Sequence, residues 1–291
     1  MDRLDRSPLN GGMTNTNTIL VIGSTGKTGR RVTARLVELG HDVRHGSRSS
    51  ATPFDWERPG TWAPALAGVT AAYVAYSPDL AAPGSCEAIT ELTQLASAAQ
   101  LERLVLLSGR GEEEAQRAEA VIRNSGLGWT IVRATWFAQN FSEGNFVDDV
   151  LAGTVALPVG DVLEPFVDAD DIADVAVAAL TDDRHVGQIY ELTGPRLLTF
   201  ADAVAEISSA TNRVVDFQTV SMADYAAVLA DYRVPPAEID LLRYLFTTVL
   251  DGRNSSLADG VQRALGREPK DFADFARDAA AAGVWVNSAR G

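Results

Sequence analysis

The sequence predicts an α/β protein: a doubly wound parallel sheet with a smaller, mostly helical C-terminal lobe. Three observations carry this. The apolar run Thr18–Ile22 ends at Gly23 and is followed by a helical pattern. The same alternation of buried strand and amphipathic helix repeats as far as Val132. Beyond Arg133 it loosens, and helical patterns dominate. Repeated β-α-β units close a parallel sheet covered by helices on both faces.

The elements follow in order. Thr18–Ile22 reads as a buried strand, and Thr28–Leu39 as a helix with Val32, Leu36 and Val37 at helical spacing, stopped by Gly40. Asp42–Ser47, Ala71–Tyr76, Arg103–Leu107 and Trp129–Val132 read as strands. Glu87–Gln100 and Glu112–Asn124 read as the helices between them. Glu164–Val167 predicts a short strand, Ile172–Leu180 a helix, Gln188–Thr193 a strand and Phe200–Ala210 a helix. From Val214 onward the pattern is mostly helical, broken at Pro235-Pro236. The expected division is a flexible tail over 1–17, a nucleotide-binding domain over 18–152 rejoined by 166–193, and a smaller substrate or partner lobe over 194–291 together with 153–165.

Composition narrows the function. The chain has 291 residues, 46% of them hydrophobic, and a formal net charge of −14. That is ample for a core, and so acidic a surface repels phosphate backbones and anionic lipid. No nucleic-acid partner is expected. No run of eighteen apolar residues predicts a membrane span, and the N-terminus has no apolar signal core. Cys86 is the one cysteine, so no intrachain disulfide forms, which fits a reducing cytoplasm.

The loop Gly23-Ser24-Thr25-Gly26-Lys27-Thr28-Gly29 joins the first strand to the first helix. Glycines there permit a tight turn, close approach of a pyrophosphate, and close packing of helix on strand. The helix N-terminus adds free N–H groups and a partial positive charge. This is a Rossmann-type dinucleotide site. A P-loop needs glycine five residues before Gly26, where Val21 stands. The end of the second strand reads Val43-Arg44-His45-Gly46-Ser47-Arg48-Ser49-Ser50, with no carboxylate for a ribose hydroxyl. Arg48 suits a 2′-phosphate, so NADP(H) is expected in preference to NAD(H).

Longer motifs narrow this further. The loop resembles the Gly-x-x-Gly-x-x-Gly of atypical short-chain dehydrogenase/reductases. Ser125-Gly126-Leu127-Gly128-Trp129-Thr130-Ile131-Val132-Arg133, then Trp136-Phe137-Ala138-Gln139-Asn140-Phe141, resembles a stretch of NmrA-like proteins. So do Pro165-Phe166-Val167-Asp168-Ala169-Asp170-Asp171-Ile172-Ala173 and Tyr190-Glu191-Leu192-Thr193-Gly194-Pro195. The resemblance implies NAD(P) bound in a cleft between sheet and lobe. It implies that Gly23, Thr25, Gly26, Lys27, Thr28 and Gly29 surround the pyrophosphate, and that Arg48 meets the 2′-phosphate. Asp55 and Trp56 fall beside the adenine; Tyr76, Ser77 and Ser108 fall along the nicotinamide ribose. Phe137, Asn140 and Phe166 fall at the substrate end, with core packing the competing reading for the two phenylalanines and Trp56.

Family members include quinone reductases and redox sensors that regulate a protein partner. The first reading is therefore an NAD(P)H-dependent oxidoreductase passing hydride to a quinone-like or other small electrophilic acceptor. The second is a non-catalytic sensor acting through a partner; isomerase or tailoring chemistry stays open, as does a homodimer. No tyrosine is followed four residues later by lysine, and Lys27 and Lys270 are the only lysines. The catalytic residues are thus left unassigned. A hydroquinone anion is a far weaker base than an alkoxide, so alignment of rings carries more of the work. No metal site is expected: His41, His45 and His185 lack ligand spacing. Asp168-Ala169-Asp170-Asp171 reads as a helix cap, and Glu112-Glu113-Glu114 as a helix start with a solvated face.

Overall fold

The structure, a computed structural model, describes residues 17–144 and 146–286; the tail expected over 1–17 lies almost wholly outside the described residues. Six parallel strands form the main sheet: β1 (Thr18–Ile22), β2 (Asp42–Gly46), β3 (Ala71–Val74), β4 (Arg103–Gly109), β5 (Gly128–Ala134) and β7 (Gln188–Leu192). Their order is β2-β1-β3-β4-β5-β7. The order reverses between β1 and β3, and the crevice at such a switch point is where open α/β sheets bind ligands. This is a Rossmann-type fold.

Alternation along β1 shows how the layers assemble. Ile19 and Val21 face a core shared with α1 (Lys27–Glu38) and α7 (Ala169–Thr181). Leu20 and Ile22 face the opposite core, with residues of α2 (Trp62–Leu66), α3 (Ser85–Ala98) and α4 (Glu113–Arg123). All five β1 residues are buried, as a central parallel strand requires. Arg31 and Arg35 of α1 pair with Asp170 of α7 at 3.1 and 2.8 Å, joining the two helices of one layer.

The loop after β1 is set by backbone sterics. Gly23 has φ +78°, and its N–H donates to the Gly46 carbonyl at the end of β2 (2.9 Å). A Cβ on Gly29 would overlap the Gly23 carbonyl, so only glycine lets α1 start this close to β1.

A third core belongs to the lobe. It gathers Phe141, Phe146, Phe166, Phe200, Phe272 and Trp285. Around it stand α5 (Asn140–Glu143), α6 (Val147–Ala152), α8 (Phe200–Thr211), α9 (Met222–Asp231), α10 (Pro236–Tyr244) and α12 (Phe272–Ala281). A two-stranded parallel sheet, β6 (Thr154–Leu157) with β8 (Asp216–Thr219), was not expected from the sequence. Each strand has four residues, too few for a periodic signal. The strand expected at Glu164–Val167 is reduced to two isolated bridges, Phe137 to Val167 and Glu164 to Leu198. The two bridges go to different segments, and Pro165 between them has no N–H to extend a ladder. A further helix, α11 (Gly260–Leu265), lies along the outer side of β7. Among the described residues no helix is long and apolar enough to cross a membrane.

Replacing Gly29 by alanine is expected to destabilise the fold by about 3 kcal/mol through overpacking against rigid backbone. Gly60→Ala, where nothing lies within 4 Å, is expected to change stability by less than about 0.5 kcal/mol. Urea midpoints for the two variants check the contrast.

Candidate functional site

The crevice begins at the glycine loop. Gly26 is the N-cap of α1 and supplies no side-chain cap, so the first N–H groups of the helix are free of protein side chains. The Ser24 hydroxyl is buried beneath the loop without a partner. Unpaired donors around an open turn suit an anion, and a diphosphate fits that donor set. Lys27 links this loop to the cavity beyond it: its Nζ donates to Asn140 Oδ1 at 2.9 Å. Burial draws the Lys27 ammonium below its ordinary range, and Glu143 partly restores it.

The cavity has a volume of about 280 Å³ and follows the carboxyl ends of β3, β4 and β5. Tyr76, Ser108, Trp136 and Phe137 line its inner side; Leu242, Leu245 and Val249 close it from α10 and the wide π turn that follows. Three carboxyls also face it: Asp79 beyond β3, Glu112 at the N-cap of α4, and Glu164. Glu112 is 7% exposed and Glu164 1%. Glu164 accepts from the Trp136 N–H at 3.2 Å, and no protein donor reaches its Oε2. Burial pushes its acid up to about 7, against the backbone bond and nearby Arg110.

Below the cavity runs a chain of charges. Ser108 donates to Glu119 (2.7 Å), Glu119 pairs with Arg133 (2.6 Å), and Arg133 pairs with Glu191 (3.1 Å). Arg110 pairs with Glu191 at 3.0 Å and donates to the Ser256 carbonyl, tying β4 and β7 to the lobe.

Residues 23–183 match the profile of a family described as NAD(P)H-binding. The chain is 30% identical to agroclavine dehydrogenase of Claviceps fusiformis over 284 residues, covering 90% of this chain and 96% of that protein. The chain belongs to the NAD(P)H-binding family. It is also 27% identical to the NAD(P)H azoreductase of Xenophilus azovorans, over 91% of this chain and 98% of that one. Among solved structures, an NADPH-dependent quinone oxidoreductase of Escherichia coli has the same fold, with a TM-score of 0.75 at 19% identity, covering 89% of this chain and 99% of that one. The chain is thus a member of an oxidoreductase family with the NmrA-like, atypical short-chain dehydrogenase/reductase fold.

Against this family frame the expected residues divide. Gly23, Gly26, Gly29 and the exposed Thr25 surround the loop, and Arg48 stands exposed in the turn after β2. Thr28 is at the loop, but its hydroxyl accepts from Tyr73 (2.8 Å) and points into the core, leaving only its N–H. Asp55 is held by Arg58 (2.8 Å) and by the Glu57 N–H, so its carboxylate organises its own turn. Trp56 is half-buried; its Nε1 donates to the Ala75 carbonyl, and its ring packs on Tyr76 at 4.7 Å. Ser77 is exposed and does not line the cavity, although Tyr76 and Pro78 on either side of it do. Asn140 and Phe137 line the cavity. Phe166 does not: it sits in the lobe core, 5.0 Å from Phe200 and 5.4 Å from Phe272, so for this residue core packing wins.

Glu112 corrects another expectation. Of the Glu112–Glu114 run, Glu112 is buried and turned to the cavity rather than solvated. Asp79, Arg110 and Glu164 were not singled out from sequence; the available signal was their position just past the ends of strands or at a bridge. Asp168 does cap α7, accepting from the Asp170 N–H at 2.7 Å. Among the described residues no group of three or more histidine, cysteine or carboxylate side chains is arranged for a metal.

Glu164 makes stability depend on pH with a defined sign. Its acid lies at about 7 in the fold against an ordinary 4.5, so the folded state holds the proton more tightly. Stability from this group is full below the ordinary value and is lost as pH rises through the folded one. The Glu164→Gln variant is expected to exceed the wild type by up to about 3 kcal/mol near pH 8.5, with the gap closing near roughly pH 5. Thermal unfolding of both proteins across that range is the check; a constant gap contradicts the assignment.

Proposed function

We propose that the protein is an NAD(P)H-dependent reductase, with NADPH preferred, that passes hydride to a quinone-like or similar small planar electrophile. The observation that carries this reading is the cavity. It starts at Lys27 beside the glycine loop, runs past Ser108 at the switch-point side of the sheet, and ends under an apolar cover from α10. Its aromatic and aliphatic walls suit a flat, poorly solvated acceptor. When bound there, the nicotinamide supplies the hydride.

The chain's own groups then bind and align. Free N–H groups at the start of α1 hold the diphosphate. Lys27 stands at the junction of phosphate loop and cavity, where a cation steadies the negative charge. Trp56, packed with Tyr76, Phe54 and Trp62, forms a rigid aromatic wall at the end of β3. Arg48 would face a 2′-phosphate, with Arg58 nearby through Asp55. The relatives named as an azoreductase and an agroclavine dehydrogenase support a redox enzyme over a passive sensor. A cavity that extends past the dinucleotide loop as far as α10 supports it further.

Calorimetry with NADPH and NADH, followed by turnover on a panel of quinones and azo dyes, tests the reading. Turnover is expected in the wild type and its loss in Gly26→Trp. Arg48→Ala is expected to weaken NADPH by about 10- to 100-fold, the range of one charge-assisted bond, with NADH little changed. Equal losses for both nucleotides refute the role of Arg48. Tight binding with no turnover on any acceptor favours a sensor.

A further inference from the structure

We infer that Asp79 and Glu112 form an acid pair that holds one proton between them, and that Glu112 delivers it to the acceptor during reduction. The inference rests on the reductase reading above. A reduced acceptor that ends with a basic oxygen or nitrogen needs a proton, and the sequence has no tyrosine–lysine pair at the spacing that supplies it elsewhere.

Geometry singles out this pair. Asp79 follows β3 and Glu112 follows β4, neighbouring strands in the sheet. Both carboxyls line the same cavity as Ser108 and Tyr76. Room for Glu112 comes from Gly109, where any Cβ would overlap its carboxyl group. Asp79 is oriented by the Ala81 N–H, which donates to Oδ1 at 2.8 Å. No protein donor reaches Glu112 Oε2, although this side chain is 7% exposed.

Two carboxyls on one cavity wall, Glu112 buried and Asp79 partly so, resist ionising together, so one proton stays. Burial first, then the charge of Asp79, holds the Glu112 acid well above the ordinary range; burial raises the Asp79 acid too, but the Ala81 N–H and Glu112 counter it, so the charge falls on Asp79. The surroundings favour retention. Glu119 approaches from within α4, its own charge offset by Arg133, and Tyr244 approaches from α10. Arg110 and Glu164 face the same cavity.

The step balances. The acceptor gains two electrons and one hydrogen as hydride, oxidising NAD(P)H to NAD(P)⁺. The Glu112 O–H bond breaks, and an O–H or N–H bond forms on the acceptor. The pair, left with two negative charges, regains a proton from solvent before the next turnover. Acceptors that yield strongly basic atoms, such as azo compounds and enones, depend on this donor; quinones, which yield weakly basic phenolates, depend on it less.

Glu112→Gln tests the inference with two readouts. In infrared spectra of the cofactor-free protein at neutral pH, with Glu164→Gln in both samples to remove that second acid, a protonated-carboxyl band is expected that the added E112Q abolishes. With an azo acceptor, kcat is expected to fall about 100- to 10,000-fold in E112Q while NADPH affinity is retained. The wild-type kcat is expected to decline as pH rises, since the donor is the protonated form, and E112Q to lack that decline. If E112Q does not fold, Asp79→Asn reads the pair from its other member: removing that charge moves the decline to lower pH. No band, or equal azo turnover by E112Q, overturns the donor role alone. NADPH binding with the band present but no turnover on any acceptor overturns the reductase reading and the donor role together.

Discussion

The close approach of α1 to β1 is the constraint on which the rest depends. It is imposed by backbone alone: the Gly23 carbonyl occupies the space a side chain on Gly29 would need. That contact aims the start of α1 at the switch point and leaves its N–H groups without a side-chain cap. It also brings Arg31 and Arg35 under α7, so one steric fact positions both the anion site and a whole helical layer. A protein that leaves helix donors open and a hydroxyl such as that of Ser24 buried and unpaired has given up stability there; a bound anion restores it.

The cavity follows a different logic. Its walls combine aromatic rings with carboxyls that are poorly solvated, and low polarity is what keeps those acids protonated near neutral pH. A chain of opposite charges, from Glu119 through Arg133 and Glu191, runs up to Arg110 at the cavity wall, and each member has a partner of opposite sign.

The sheet was legible in the sequence because strand and helix periodicities there are long and uninterrupted. β1, β4 and β7 lie within two residues of where their apolar patterns place them. The glycine loop was legible because its spacing encodes a steric requirement. What was hidden depends on tertiary position. Nothing local separates Glu112 from Glu113 and Glu114; only the empty side of Gly109 on the preceding strand turns it inward. Phe166 and Phe137 are equally apolar in sequence, and only the lobe's packing decides that one joins a core and the other a cavity wall. Thr28 belongs to the loop by position, yet Tyr73 claims its hydroxyl from across the core. The small β6–β8 sheet was hidden because its pairing is between segments about sixty residues apart, each a single short run.

The outer side of β7 has a consequence for the molecule's company. An unpaired parallel edge strand presents a row of donors and acceptors to any other extended chain. Here Arg263 of α11 donates toward the Ile189 carbonyl and to Gln188, while Thr193 and Ala258 exchange hydrogen bonds just beyond. Strand addition on that border is therefore blocked by the chain's own C-terminal segment. The opposite border, β2, carries Asp42, Arg44 and His45, charged or polar groups that oppose stacking of one sheet on another. Between them, the two borders keep a long hydrophobic sheet from templating its own aggregation.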